Sequence, residues 1–239
     1  MNIKEMHYDF KVKINKLDSQ QYRNIKVPEI DWKINEAIEI FKKIVAEPKY
    51  ATKLGFETSQ RTIDDIRTVV VNGKQLTKIA KSINFDIYEL PIDYQYYVGA
   101  ESIEMSKSGC SVFSEKVFVR QHDDNFQSSA YDKSSFLWRE LNIRFFEEGI
   151  KVFTNNEFTT DKFLLNYIRE SVPVNNSESF VGGQYINLAG VTLSTNVDCD
   201  LPKHTHSEIV DIAVLLTTGN LQIPDYQIKI NKLNMNQLI

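Results

Sequence analysis

Apolar residues between Pro28 and Pro48, in PEIDWKINEAIEIFKKIVAEP, recur at helical spacing. Trp32, Ala37, Ile38, Phe41, Ile44 and Val45 form a stripe, with Lys33, Glu36, Lys42 and Lys43 largely opposite. Pro28 suits a first turn, Glu29 and Asp31 favour the positive N-terminal end, and Pro48 stops the helix. A second helix is predicted from about Ser59 in ETSQRTIDDIRTVVV, where Ile63, Ile66 and Val70 share a face. Whether Val69–Val71 end that helix or begin a strand is open in the pattern, and Asn72-Gly73 is expected to terminate either one.

The period changes after about residue 84. NFDIYEL, QYYVGAESIEM, EKVFVRQ, ELNIRFF, GIKVF, KFLLNYIRE and QYINLAG are short, rich in Ile, Val, Phe and Tyr, and separated by turn material. Leu141, Ile143 and Phe145 alternate with Asn142 and Arg144, which predicts one strand face inward and the other wet. Glu148-Gly149 reads as a tight turn, and His122–Asn125, Asn155-Asn156 and Asn175–Ser179 supply others. Past residue 197, LPKHTHSEIVDIAVLLTTG carries a last helix, apolar nearly all round and therefore buried. Gly219 is expected to close it.

The fold class is α+β. An antiparallel β domain, sandwich or small barrel, is inserted between N-terminal helices and a C-terminal helix. The expected division is an extended or partly ordered arm over 1–27, a helical part over 28–83, the β domain over 84–197, and the C-terminal helix with its tail over 198–239. The C-terminal helix is expected to pack back on the N-terminal helices. The stretch DYQIKINKLNMNQLI reads as a tail or edge-strand arm.

The opening residues of the last helix pose the main chemical question. Thr205-His206-Ser207-Glu208 fits a capping box, in which the threonine side chain accepts from the Glu208 amide and Glu208 reaches back. Alternatively His204, His206 and Glu208 are metal ligands of a hydrolase, because alternate residues of an extended segment face one way. The helical HExxH pattern is absent, and neither His7 nor His122 has ligand-like neighbours in sequence. No GxSxG, GxGxxG or phosphate-binding loop occurs, and Gly182-Gly183 lacks the partners of one. Asp123/Asp124 and Glu147/Glu148 fall in predicted turns. The reading is therefore no catalysis, no cofactor and no metal, with the histidine cluster kept as the enzymatic alternative.

The chain has 239 residues, 28 Lys and Arg against 32 Asp and Glu, and a net charge of −4. Interspersed charge of this kind argues against adhesion to DNA or anionic lipid through a basic face. Its two cysteines, Cys110 and Cys199, have no CxxC or Cys-His spacing, so free thiols in a reducing compartment are expected. MNIKEMHYDF has no apolar signal region, and no run is long enough to span a membrane. Trp32, on a helix stripe, and Tyr94, Tyr96 and Tyr97, crowded beside Pro91, are candidate subunit-interface residues.

Several stretches together resemble a known group. DSQQYRNIKVPEIDWKINEAIEIFKKIVAEP, FETSQRTIDDIRTVVV, ELPIDYQYYVGAESI, SFLWRELNIRFFEEGIKVF and LPKHTHSEIVDIAVLLTTGNLQIPDYQ are similar to a virion structural protein of crAss-like bacteriophages, over nearly the whole chain from about Met6. The resemblance implies a ring protein of the tail barrel below the portal, part of the head-to-tail connector. It implies a homo-oligomer of about twelve copies, contacts with the portal protein and other tail ring proteins, and genomic DNA passing through the lumen without specific binding. The expected location is the virion tail or neck, after assembly in the host cytoplasm. No catalytic residues carry over. A mildly acidic wall would let DNA slide. A head or capsid accessory protein of the same virion is the remaining alternative.

Overall fold

The first helix is capped by its own sequence. In the computed structural model, α1 (Ile3–Asn15) opens on a reciprocal pair: the Glu5 amide donates to Asn2 Oδ1 at 2.8 Å, and the Asn2 amide donates to Glu5 Oε2 at 2.9 Å. The structure describes residues 1–15, 25–46, 64–120, 132–147, 149–181, 183–186 and 190–220. The expected arm is thus a helix over its first half. Ile3, Met6, Phe10 and Ile14 are buried along one face, at the spacing an α-helix requires.

α2 (Val27–Ala46) forms where its pattern placed it, with Ile30, Ile34, Ala37, Ile38 and Phe41 buried. Two positions depart from the expected stripe. Trp32 is 50% exposed, whereas Lys42 is fully buried, with its ammonium 2.6 Å from Glu39 Oε1. α3 (His206–Asn220) packs against both α1 and α2, as its apolar sequence demands. Ile209, Val210, Ala213 and Val214 are its innermost residues. Gly219 lies inside this helix and does not close it. Each fully buried aliphatic side chain here is worth about 1.5–3 kcal/mol relative to exposure.

The chain divides into two compact units, one of residues 1–69 with 171–239 and the other of residues 70–170. The β unit therefore starts and ends earlier than the sequence reading placed it. β1 (Val70–Gln75) and β2 (Lys78–Lys81) belong to it, and β10 (Tyr185–Ile186) and β11 (Thr192–Leu193) do not. The Asn72-Gly73 pair causes the first difference. It makes a bulge within β1, where the register slips between Val71 and Lys74 and Gly73 takes a φ of 65°, so the strand bends and continues. Of the second predicted helix, the described residues keep one helical turn over 64–66; Ser59 and Ile63 lie outside them, as do His122–Asn125 and the tail.

The remaining strands of the β unit are β3 (Phe85–Glu89), β4 (Tyr94–Lys107), β5 (Cys110–Val112), β6 (Lys116–Val119), β7 (Glu140–Phe146), β8 (Gly149–Phe153) and β9 (Thr159–Arg169). They form a four-stranded sheet, β1-β9-β4-β5, and a five-stranded sheet, β2-β3-β8-β7-β6. Pairing is antiparallel except between β6 and β7. Residues 70–81 and 110–119 each run from one sheet into the other. The two sheets thereby wrap one core, in which Phe163, Leu165 and Tyr167 face Tyr88, Ile143 and Ile150. The class is α+β with an antiparallel β unit inserted between helices.

Two turns set this wrapping. Asn155 and Asn156 both have positive φ, 52° and 57°, in the β8–β9 turn, a conformation asparagine tolerates. At Gly149 a Cβ would sit 2.1 Å from the Tyr88 carbonyl oxygen, so only glycine lets β8 approach β3 there. The alternation read in β7 holds for Leu141 and Ile143, but Asn142 is buried, not wet. It accepts from Arg120 Nε at 2.6 Å and donates to the Asp132 carbonyl at 2.9 Å.

Candidate functional site

The histidines of the His-Thr-His stretch turn to separate partners. His204 Nε2 meets Asp65 Oδ1 at 2.7 Å with its side chain half exposed. His206 is buried, and its two ring nitrogens lie 2.8 Å from the Met1 carbonyl and 2.9 Å from the Leu201 carbonyl. Glu208 sits in the first turn of α3. Among the described residues, no three His, Cys, Asp or Glu side chains are placed to hold one metal ion. Thr205 occupies the position before the helix, and both its amide and its hydroxyl donate to the Pro202 carbonyl, at 3.0 and 2.9 Å. This tight turn and the His206 tether hold the start of α3 against the first residues of the chain.

A second polar constellation was not read from the sequence. His7 Nε2 lies 2.7 Å from Asp31 Oδ1, and Asp31 Oδ2 accepts from the Tyr185 hydroxyl at 2.7 Å and the Asn176 amide at 3.2 Å. All four residues are buried, Asp31 at 2% exposure. Burial, reinforced by the hydrogen bond to Asp31 and its charge, pushes the Tyr185 hydroxyl well above the usual tyrosine range. A carboxylate this dry is stable only with such donors. The arrangement joins α1, α2 and β10 and offers no exposed nucleophile. No sequence motif announces it, because its members are spaced 24 and 154 residues apart.

The β unit holds a comparable cluster. Asp86 Oδ2 accepts from Thr160 Oγ1 at 2.9 Å, from the Thr160 amide at 3.3 Å and from Lys78 Nζ at 3.1 Å. The Tyr88 hydroxyl donates to the Thr160 carbonyl at 2.6 Å, and burial raises it far above its ordinary value. These residues tie β2 and β3 of one sheet to β9 of the other. An open cleft nearby is lined by Lys81, Ser106, Lys107, Asn156, Glu157 and Thr159, and its carboxylate, Glu157, lies 3.6 Å from the Lys107 ammonium. It contains no imidazole or thiol.

Of the two thiols, Cys110 is exposed. Burial, with Asp200 and Asp198 adding to it, pushes Cys199 up to about 11, away from the reactive thiolate form. Tyr94 and Tyr97 pack on Phe145, with ring centroids 5.8 and 5.3 Å apart, at the margin of the β core. Tyr96 is half-buried beside them. Trp32 is the most exposed of the four interface candidates.

The surface carries several large apolar side chains. On the helices, Tyr8 is 72% exposed. In the β unit, Leu137 is 80% and Trp138 70% exposed, with Phe113 and Ile83 similarly uncovered. Both units bury cores of their own and still present such residues.

Fold and site together describe an α+β protein whose buried polar groups hold elements together and whose accessible features include an open polar cleft and several large apolar side chains. No known protein family and no curated protein matches the chain. No helix among the described residues is long and apolar enough to cross a membrane.

Proposed function

We propose that this chain is an assembly protein, the repeated subunit of a ring in a phage head-to-tail connector or tail barrel, and not an enzyme. The observation that carries the reading is the number of large apolar side chains left exposed on units that bury cores of their own, Leu137 and Trp138 among them. A ring subunit must cover such surface against two neighbours in head-to-tail contact. The similarity of five long stretches to a crAss-like phage virion protein supplies the setting. In it about twelve copies surround the DNA path, touch the portal protein and other tail ring proteins, and reside in the virion. A metal-dependent hydrolase using His204, His206 and Glu208 is not favoured, because these imidazoles are engaged by Asp65 and by two backbone carbonyls.

The test is native mass spectrometry and averaged electron microscopy of the purified full chain. A closed ring of identical subunits is the expected result. A single-copy particle at every concentration, with stoichiometric zinc that His204→Ala removes, would replace the proposal with the enzymatic reading.

A further inference from the structure

The face of the five-stranded sheet that turns away from the β core carries a pattern of its own. Leu141, Ile143, Ile150 and Val152 belong to the core, so the residues that alternate with them, Asn142, Arg144, Lys151 and Phe153, point to the other face. Arg144 and Lys151 stand directly opposite each other across β7 and β8. On the other side of β7, Phe118 of β6 is beside Asn142, and the Arg120 amide extends that ladder by donating to the Ile143 carbonyl at 2.8 Å. Lys151, Arg144 and Arg120 therefore form one row across three neighbouring strands. Phenylalanine rings flank it. Lys151 Nζ lies 5.1 Å from the ring centre of Phe85 and 4.9 Å from that of Phe146, the Arg144 guanidinium 5.9 Å from Phe153, and the Arg120 guanidinium 5.6 Å from Phe118.

Like charges directly opposite on paired strands oppose folding. The rings offset part of that cost by attracting each cation to their faces, and they hold it without neutralising it. The carboxylates of this face stand at its margins: Glu89 at the end of β3, Glu140 with Lys116 at 3.4 Å, and Asp132 beside Arg120 at 3.8 Å. Positive charge is thus concentrated along the row in a chain whose net charge is −4. All three cations are half-buried, their stems laid on the rings, so they have little freedom to lose when an anion arrives. Strands about 4.8 Å apart give the row a length of about 10 Å, which matches about three phosphates of one nucleic-acid strand at about 3.4 Å of rise each. Phe85 and Phe146 are half-buried and Phe153 is buried. This face therefore offers charge in a line, and neither open rings for bases to stack on nor an apolar edge to insert into a bilayer.

We infer that this face binds the phosphate backbone of a nucleic-acid strand laid along Lys151, Arg144 and Arg120. Contacts to phosphates carry no sequence information, so the binding is indifferent to base sequence. The inference does not rest on the ring reading, because one chain carries the whole row.

The test uses the full chain and a fluorescein-labelled DNA of mixed sequence, as a single strand and as a duplex, read by anisotropy between about 50 and 200 mM salt. Wild type is expected to bind both forms, with the logarithm of the binding constant falling against that of salt at a slope of about −2 to −3, the share of three phosphates. Arg144→Gln with Lys151→Gln should weaken binding more than about tenfold at the lower salt and bring the slope to about −1. Arg144→Lys with Lys151→Arg keeps both charges and should bind much as wild type does. Lys81→Gln with Lys107→Gln removes two charges from the cleft described above and should leave binding unchanged. Circular dichroism checks each fold, and if the neutral double variant does not fold, Lys151→Gln alone should lower the slope by about one phosphate's share. Absence of binding by wild type at the lower salt, an unchanged slope on neutralising Lys151, or an equal loss from the Lys81 and Lys107 variant would overturn the assignment. Binding to phosphatidylserine vesicles in place of either DNA would overturn it in favour of a membrane surface.

Discussion

The two units solve the same problem, a dry interior, with different chemistry. The β unit pairs its strands in two sheets and fills its centre with side chains such as Tyr88 and Phe163, whose rings lie 5.2 Å apart. Among its described residues the helical unit has three α-helices, and the stretch that follows residue 170 carries only the short β10–β11 pair and a 3-10 turn, so several of its backbone groups are settled one at a time. Asn35 does so twice, accepting from the Val174 amide at 2.8 Å and donating to its carbonyl at 3.0 Å. Asp198 accepts from the Ile3 amide at 2.7 Å, and Asp31 and His206 serve similarly. Loss of one aromatic ring in the β unit leaves a cavity its neighbours can partly fill. Loss of one polar hub in the helical unit leaves several buried groups unpaired at once, which no relaxation repairs.

Asp31→Ala puts that contrast under the greatest load. It strands His7, the Tyr185 hydroxyl and the Asn176 amide, and the expected loss is about 3–5 kcal/mol. Hydrogen exchange should show it as lost protection in α1, α2 and α3 with β4 and β9 unchanged. Equal loss in both units would mean that the division of labour described here is wrong. Asp31→Asn keeps an acceptor for Tyr185 and should cost markedly less.

The mirror experiment is Gly149→Ala. The new methyl group meets the Tyr88 carbonyl oxygen, and the β3–β8 pairing has to part or distort, at about 3 kcal/mol. Here exchange should accelerate in β3, β7 and β8 while the helices keep their protection.

Alkali distinguishes the units without mutation. Burial, with the hydrogen bond to Asp93, pushes the Tyr167 hydroxyl up to about 12, and burial raises Tyr88, Tyr94 and Tyr97 as well. The helical unit has Tyr185 in the same position. For an acid whose folded value lies above the unfolded one, near 10, the unfolded chain gives up its proton first. Stability is therefore complete below pH 10 and falls as pH rises from there to about 12 for Tyr167, by about 1.4 kcal/mol per pH unit for each buried tyrosine. Urea titrations between pH 9 and 12 should show the β unit losing more than the helical one, and Tyr167→Phe should reduce the slope.

Much of this architecture was legible and some was not, for identifiable reasons. α2 and α3 announce themselves because their apolar residues are dense enough to show a period. α1 carries the same period in Ile3, Met6, Phe10 and Ile14, but lysines and acids between them lower its mean hydropathy, and it reads as an arm. β1 was obscured by Asn72-Gly73, a pair that more often ends a strand than bends one. The His-Thr-His stretch was read as the entrance to a helix, and Thr205 does stand immediately before α3, where its amide and hydroxyl donate to the Pro202 carbonyl. Asp31 could be read only as a first-turn acid, because what makes it a hub is contributed by His7, Asn176 and Tyr185 from distant parts of the chain.

The smallest effect discriminates between two ways of starting a helix. Asn2 and Glu5 satisfy each other's amides at the surface, so Asn2→Ala should cost about 1 kcal/mol and Glu5→Gln, which keeps an acceptor, less. Thr205 does something else. Its hydroxyl is buried and spends its proton on the Pro202 carbonyl, closing the turn that precedes α3. Thr205→Ser keeps that hydroxyl and should be nearly neutral apart from its missing methyl, whereas Thr205→Val keeps the shape and leaves the Pro202 carbonyl only the amide of these two donors. If these starts differ as the geometry says, Thr205→Val should be the costlier change and should loosen the His206 tether to Met1 along with the turn. Asn2→Ala should instead fray only the first turn of α1. Exchange rates at the Ile209 amide, which donates to the Thr205 carbonyl at 3.0 Å, and at the Glu5 amide read the two outcomes separately.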